Sequence, residues 1–424
     1  MPTGNVISLW DETAPPGPEL IPLTSNARAQ VAIVGGGYTG CSAALHLAKH
    51  GVDTLLLEAN KIGYGGSGRN VGLVNAGVWL PPREVYKRLG EQQGQRLVKE
   101  LSAAPAVVFS LIDQYQIDCE ARHNGTIHVA HSTAGFNDLS QRAGQWQALG
   151  APVELLSKEQ TAEKTRSDIY HGGLLDRRAG TINPMGYVRG LARAAVNAGA
   201  RLHVGTRVTR LLRNGGKWTV RTPDGTINAQ HVIIATNAYG DHLWPELPKT
   251  FTPINYYQVA TKPLGERVNH IIPDREGVWD TAPIMSSLRI DMEGRLILGS
   301  MGKIMGANGI HSRRWASRTL RRMFPHLGHV EWEYFWHGNI ALTPSHIPAI
   351  YNPVPGLLCP MGYNGRGIAP GTVFGKAIAE YLVTGDEAVL PQPLTKPAVD
   401  TFRGIKCVAM DVAFKTRQIL KGFI

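Results

Sequence analysis

Cysteine is scarce in this 424-residue chain: the four present, Cys41, Cys119, Cys359 and Cys407, lie far apart, with no CxxC pair and no metal-ligand spacing. That argues against a disulfide-framed fold or a metal centre and leaves reduced, mostly buried thiols. Long apolar runs are also missing. The longest, such as Val31–Val34 and Thr54–Leu57, fall far short of the ~20 residues that cross a bilayer. The stretch from Met1 to Pro22 lacks the basic-then-apolar layout of a secretory signal and carries Asp11, Glu12 and several prolines instead. It reads as an irregular arm, residues 1–27, of a cytoplasmic protein. Lysine and arginine outnumber acids by 44 to 33, a net charge of +11, which favours anionic partners such as a nucleotide, a carboxylate or an anionic surface. No basic stripe interleaved with aromatics marks a nucleic-acid groove, so nucleic acid is not an expected partner.

What is present is ordinary globular composition, 43% hydrophobic and 18% charged, in a chain long enough for two or three domain-sized bodies. Near the start, Gln30-Val-Ala-Ile-Val-Gly35-Gly-Gly37-Tyr-Thr-Gly40 places a short β-branched strand directly before G-x-G-x-x-G. A helical spacing of Ala44, Leu45, Leu47 and Ala48 follows, stopped by Gly51, and a second buried strand ends in Glu58. Gly35 makes the tight turn, Gly37 lets backbone approach a pyrophosphate, and Gly40 permits close helix–strand packing. The free amides at the helix start hold phosphate. Glu58 stands where a carboxylate accepts hydrogen bonds from both adenosine ribose hydroxyls, which disfavours NADP.

The next segment, Ala59 to Gly77, carries six glycines, a large backbone-entropy cost unless an elongated ligand runs along it. Ser67 and Asn70 can bond phosphate or flavin edges and Arg69 can neutralise a pyrophosphate. FAD is therefore favoured over NAD as the dinucleotide.

With these residues, and with Ala235-Thr-Asn-Ala-Tyr239, Gln258-Val-Ala-Thr, Gly294-Arg-Leu-Ile-Leu-Gly299 and Met361-Gly-Tyr-Asn-Gly-Arg-Gly-Ile368, the chain from about Val31 to Gly385 resembles the FAD-dependent amine and amino-acid oxidase superfamily (D-amino-acid, glycine and sarcosine oxidase type), in its γ-glutamylputrescine oxidase-like branch. The resemblance implies an α/β plus α+β fold: a Rossmann-like FAD-binding domain assembled from discontinuous segments, with an antiparallel-sheet substrate domain. It implies cofactor contacts at Gly35, Gly37, Tyr38, Thr39, Gly40, Glu58 and Ala59, and along Gly66, Ser67, Gly68, Arg69, Asn70, Gly72 and Leu73. Further contacts are expected at Val208, Ala235, Gly338 and the run Gly362, Tyr363, Asn364, Gly365, Arg366, Gly367 and Ile368. Many relatives have histidine where this chain has Arg366. Sarcosine-type relatives bind the flavin through a cysteine before a Thr-Pro like Thr343-Pro344; Trp336 to Leu342 contains none, so FAD is expected to be non-covalent.

Helical spacing marks Pro82–Tyr115, Gly135–Leu149, Pro184–Ala198 and Gly367–Leu382, with strands at Gln116–Glu120, Thr126–Ala130, Arg201–Val204, Val208–Leu212, Trp218–Arg221 and His231–Ala235. From Phe251 to Asp291 longer strands rich in Tyr, Trp and Val indicate a second sheet, and Val330–Leu342 and Gly356–Pro360 are further strands. The expected division is 28–80, 150–245 and 336–390 for the FAD-binding domain, 81–149 and 246–335 for the substrate domain, and a basic amphipathic tail from 391 to 424.

Oxidation of a small amine or amino acid asks little acid–base machinery of the protein: the α C–H of the neutral amine must lie near flavin N5 with water excluded. Neither a catalytic triad nor a metal is expected. A carboxylate clamp suits arginine's bidentate fork; Arg289, which resembles an arginine common in this branch, is the first candidate and Arg366 the second. Tyr256 and Tyr257 are adjacent, so alternation turns only one of them into the pocket, with Tyr257 taken as the pocket residue. His337 can tune substrate protonation near neutral pH, or be a hydrogen-bonded structural residue. The same relatives carry an oxygen-activating lysine on the strand matching Leu296-Ile-Leu298, which is apolar here, so O2 and a quinone-linked acceptor both stay open as oxidants of the reduced flavin. The tail either packs on its own domain or a second subunit, or touches an anionic membrane surface from the inner face. Monomer and homodimer remain open, as do two other readings: an NAD(P)H-dependent flavin reductase or monooxygenase, which would need a second nucleotide fingerprint that the sequence lacks, and a non-catalytic flavin-binding protein.

Overall fold

Two large sheets organise the molecule, which a computed structural model describes over residues 7–305 and 309–420. The first is built around five parallel strands in the order Arg201–His203, Thr54–Leu57, Ala27–Val34, Thr226–Ile234, Leu357–Met361. Its centre, Val31 to Val34 against Thr54 to Leu57 and His231 to Ile234, is almost wholly buried, which is why these strands read as continuous apolar runs and not as alternating ones. The helices Tyr38–Lys49, Pro184–Asn197 and Ile368–Thr384 pack on it. Two small-residue contacts join the first and last of these: a Cβ on Gly375 would lie 2.5 Å from the Thr39 carbonyl, and Ser42 Oγ donates to the Thr372 carbonyl at 2.7 Å. The order reverses on either side of Ala27–Val34, and ligands of such sheets bind beyond the carboxyl ends of the strands at that reversal.

The second sheet has eight strands, in the order Trp332–Leu342, Thr252–Thr261, Leu296–Met301, Ser286–Ile290, Gly277–Asp280, Thr126–Val129, Gly173–Asp176, Val153–Leu156. It is antiparallel except for one parallel pair, Gly277–Asp280 with Thr126–Val129. Its membership corrects the expected division: Val153–Leu156 and Gly173–Asp176 lie in the second sheet, as does all of Trp332–Leu342, which pairs with Thr252–Thr261 along its length. The expected strand at Gln116–Glu120 does not form; Gln116 and Glu120 both have positive φ, 48° and 51°, which breaks an extended run. Glu91–Gln114 forms a single helix after Pro82–Leu89, and the helices Lys158–Thr165 and Ile310–Met323 were not foreseen.

The irregular arm is also corrected. Ser8 caps a short helix, Leu9–Thr13, with its hydroxyl accepting from Asp11 N at 3.2 Å, and both Leu9 and Trp10 are completely buried. Trp10 Nε1 donates to the Asn70 carbonyl at 2.8 Å, Ser8 Oγ to the Gly68 carbonyl at 3.1 Å, and the indole meets Trp336 edge-on at 6.1 Å. The arm is thus a brace beneath the glycine-rich loop. At the other end, the helix Arg403–Leu420 packs on Thr252–Thr261 and Ile310–Met323. Residues 1–6, 306–308 and 421–424 lie outside the described part, including the last residues of the predicted tail. Among the described residues no helix is long and apolar enough to cross a membrane.

Candidate functional site

A cleft of about 960 Å³ runs from the carboxyl end of Ala27–Val34 to the face of the second sheet. At its near end the chain turns sharply: Gly35 has φ +110°, and a Cβ there would lie 3.0 Å from the Ala235 carbonyl oxygen. The Tyr38–Lys49 helix then starts with its amides facing the cleft, Gly37 as its N-cap and Ser67 Oγ accepting from Tyr38 N at 3.1 Å. Glu58 Oε2 accepts from Gly36 N and Oε1 from Asn60 N, both at 2.8 Å; burial raises the carboxyl's pKa while these amides oppose the rise. Each oxygen keeps a lone pair for a further donor.

The glycine-rich loop is held by its own side chains. Asn70 Nδ2 donates to the Gly66 carbonyl at 2.8 Å and to Tyr38 Oη at 3.0 Å, and Tyr38 Oη donates to the Ser67 carbonyl at 2.7 Å. Arg69 Nε donates to the Tyr64 carbonyl at 2.9 Å and Nη1 to the His337 carbonyl at 3.2 Å, tying the loop to the second sheet. A surface built from glycine backbone, a helix N-terminus and an amide-held carboxylate fits an adenine dinucleotide in its donor set.

Most sequence-expected contacts meet on this surface: Gly35, Gly37, Tyr38, Thr39, Glu58, Ala59, Gly66, Ser67, Arg69, Asn70, Leu73, Val208, Ala235, Gly338 and Tyr363 to Ile368 all line the cleft. Four expected contacts do not. Gly40 is turned into the helix–strand interface, where a Cβ would sit 2.0 Å from the Gly35 carbonyl oxygen. Gly68 faces Met185, Gly72 faces the Ile182 carbonyl and Gly362 faces Thr343, each too closely for a Cβ. These glycines are required by packing behind the cleft wall. Gly40→Ala is expected to give a largely colourless protein destabilised by at least ~3 kcal/mol, because a backbone oxygen cannot move aside as a side chain can; flavin absorbance of the purified protein checks it.

At the far end, Arg366 lies between two indoles, its guanidinium carbon 4.9 Å from the Trp79 ring and 4.7 Å from the Trp279 ring. Nη1 donates to the carbonyls of Ala76 and Val78, both at 3.0 Å, while Nε is buried with no partner. Burial, reinforced by the positive charge of Arg142, pushes its pKa down to about 9, so it is cationic at neutral pH. His128 stacks on Trp279 at 3.3 Å; burial first, then Arg366 and Arg142, hold its pKa well below the usual range, so it adds no further positive charge. Arg142 is fixed by Asp138 at 2.6 Å and by the Trp79 carbonyl at 2.8 Å. Tyr256 Oη donates to Ser287 Oγ at 2.8 Å along the same wall.

Three of the residues expected to act on substrate lie elsewhere. Arg289, first choice for the clamp, is 1% exposed and does not line the cleft; its Nη1 donates to the Ile182 carbonyl, and the guanidinium covers Trp10 at 5.2 Å and faces Glu120 at 4.0 Å. Ser287 on the same strand face does reach the cleft, but two residues further on the Gly72 segment comes between. Tyr257 points to the opposite face, edge-on to Trp315 at 5.3 Å; alternation did select one tyrosine, and it is Tyr256. His337 pairs with Tyr257 across the sheet and is likewise absent from the cleft wall. Trp79, His128, Arg142 and Trp279 were missed, because each comes from a different element and none belongs to a motif. Met410, Ala413 and Phe414 of the last helix also line the cleft, so that helix packs on its own molecule on one face.

Comparison with known proteins agrees with this architecture. Residues 30–381 match the family described as FAD dependent oxidoreductase (DAO). The chain is similar to γ-glutamylputrescine oxidoreductase of Escherichia coli, 33% identical over 86% of this chain and 85% of that protein. Its fold is similar to the crystal structures of glycine oxidase from Geobacillus kaustophilus (TM-score 0.70, 22% identity, 88% of this chain and 97% of that one) and of L-proline dehydrogenase from P. horikoshii (TM-score 0.69, 20% identity, 86% and 97%). FAD is bound here without a covalent link, and the stretch Trp336 to Leu342, where sarcosine-type relatives place the attaching cysteine, contains none. The Rossmann-like sheet with its glycine turn, the amide-held acid at its second strand and the family match together make this chain a member of the FAD-dependent oxidoreductases.

Proposed function

We propose that the protein oxidises the C–N bond of a small amine or amino acid that carries a carboxylate, with the carboxylate docked on Arg366. The observation that carries this reading is the guanidinium fixed between Trp79 and Trp279 with Nε unpartnered. Two indoles hold the fork in one orientation and keep water off it, and a planar fork with free donors suits a carboxylate. Arg142 beside it reinforces selection for an anionic group, and Asp138 limits the excess positive charge.

In this reading the amides of Gly37 and Thr39 at the helix start hold the pyrophosphate of FAD, Glu58 the adenosine ribose, and Gly66 to Asn70 and Tyr363 to Ile368 flank its ring system. When bound, FAD supplies a two-electron acceptor for oxidation of the substrate C–H next to nitrogen. The chain's part is positional: Arg366 sets the distance of the carboxylate, Tyr256 and Trp279 confine the carbon skeleton, and the apolar wall keeps water from the amine. The named activity of the Escherichia coli relative supports a γ-glutamylated diamine as substrate; smaller secondary amines, sarcosine-like or cyclic imino acids such as pipecolate, are the other substrates of this reading.

Anaerobic photometry of the yellow protein against a panel of amines and amino acids, followed by air, tests the proposal. Bleaching by carboxylate-bearing amines and not by their methyl esters is expected. Rapid recovery of colour in air identifies O2 as the acceptor, and slow recovery that a quinone accelerates identifies a dehydrogenase. Bleaching by NADH with none by any amine would overturn the assignment.

A further inference from the structure

The last helix has two faces. Met410, Ala413 and Phe414 line the cleft, while Phe402, Ile405, Val408 and Val412 are 65%, 72%, 67% and 56% exposed. The last three recur at helical spacing, with Phe402 just ahead of the helix, so together they form one apolar stripe. Beside this helix packs Ile310–Met323, a helix with five arginines, Arg313, Arg314, Arg318, Arg321 and Arg322, and no acidic residue. Arg313, Arg314, Arg321 and Arg322 are exposed, and none of the ion pairs among the described residues includes them. Ile310, at the start of the same helix, is 43% exposed.

We infer that this two-helix surface docks on an anionic lipid bilayer, with the apolar stripe of Arg403–Leu420 entering the headgroup layer and the arginines of Ile310–Met323 meeting acidic headgroups. The charge argument selects the occupant. A nucleic acid would match the arginines but leave four large apolar side chains against a polar backbone. An isologous second copy would cover the stripe but bring the arginine cluster against its own image. A bilayer surface offers apolar depth and negative charge together, and interfacial helices combine these two features. Because the opposite face of the same helix walls the cleft, the docked molecule holds its cleft within one helix diameter of the lipid, about 10 Å.

The test is co-sedimentation of the FAD-loaded protein with vesicles of phosphatidylcholine alone or of phosphatidylcholine with phosphatidylglycerol. Binding to the anionic vesicles only, weakened by salt, is expected. Arg313→Gln with Arg314→Gln should weaken the partition roughly 30-fold, at about 1 kcal/mol per basic residue near a charged membrane. Val408→Asp with Val412→Asp should abolish it, while the flavin spectrum and the melting temperature stay those of the parent. Equal binding to neutral and anionic vesicles, or none to either, overturns the inference. Light scattering that shows a dimer lost in the Val408→Asp, Val412→Asp variant would assign the stripe to a second copy, and tighter binding to a DNA duplex than to anionic vesicles would assign the arginines to nucleic acid.

Discussion

Replacing Arg366 with methionine is expected to lower kcat/KM for a carboxylate-bearing amine by roughly 100- to 1000-fold, the ~3–4 kcal/mol typical of removing one member of a desolvated, hydrogen-bonded charge pair. Methionine keeps an apolar body between Trp79 and Trp279, so the cleft end need not collapse. Arg366→Lys should recover only part of the loss, because a point charge lacks the fork and packs less well between two ring faces. The flavin should remain: the side chain bonds the carbonyls of Ala76 and Val78, at the end of the cleft away from the glycine turn and Glu58. Steady-state kinetics on the acid and on its methyl ester separate the effects. An equal loss for both substrates would mean that Arg366 shapes the cleft and does not bind the carboxylate.

Trp10→Ala is expected to remove ~3–5 kcal/mol of stability, the range for deleting a fully buried aromatic. The cost reaches beyond the cavity. Asn70 loses the donor to its carbonyl, and the Arg289 guanidinium loses the ring it covers. Asn70 in turn holds Gly66 and Tyr38, so the loop should slacken and the variant should release FAD in dilute denaturant before the protein unfolds. Trp10→Phe restores most of the apolar area without the N–H and should cost only ~1–2 kcal/mol, the scale of one unsatisfied buried carbonyl. Denaturation followed in parallel by flavin fluorescence and by circular dichroism distinguishes loss of the cofactor from loss of the fold.

The near end of the cleft was legible because its chemistry is local. Strand, glycine turn, helix and acid fall within 28 residues, Val31 to Glu58, and each follows from the backbone's need to approach a phosphate. The far end was not. Trp79, His128, Arg142, Trp279 and Arg366 come from five separate segments, only two of them strands of the second sheet, and only Arg366 sat in a recognisable run. Arg289 shows why burial cannot be read from residue type. As an arginine it suggested an open pocket, yet the strand Ser286–Ile290 is buried throughout, and the side chain is spent on the Gly72 and Ile182 carbonyls. The arm misled for the opposite reason. Its prolines and acids masked Leu9 and Trp10, two residues with no periodic neighbours to announce a core position. Tyr256 and Tyr257 fall between these cases: the period of two fixed that one must face in, and only the sheet's pairing decided which.

The cleft draws its walls from Gly35 near one end of the described chain and from Phe414 near the other. Vectorial synthesis delivers those segments at widely separated times, and domains tend to fold as they emerge. Here the first sheet lacks its Leu357–Met361 strand until most of the polypeptide exists. Flavin capture therefore waits on the strand Leu357–Met361 and on the last helix, so the cofactor enters late in chain maturation and not when its glycine turn is first made.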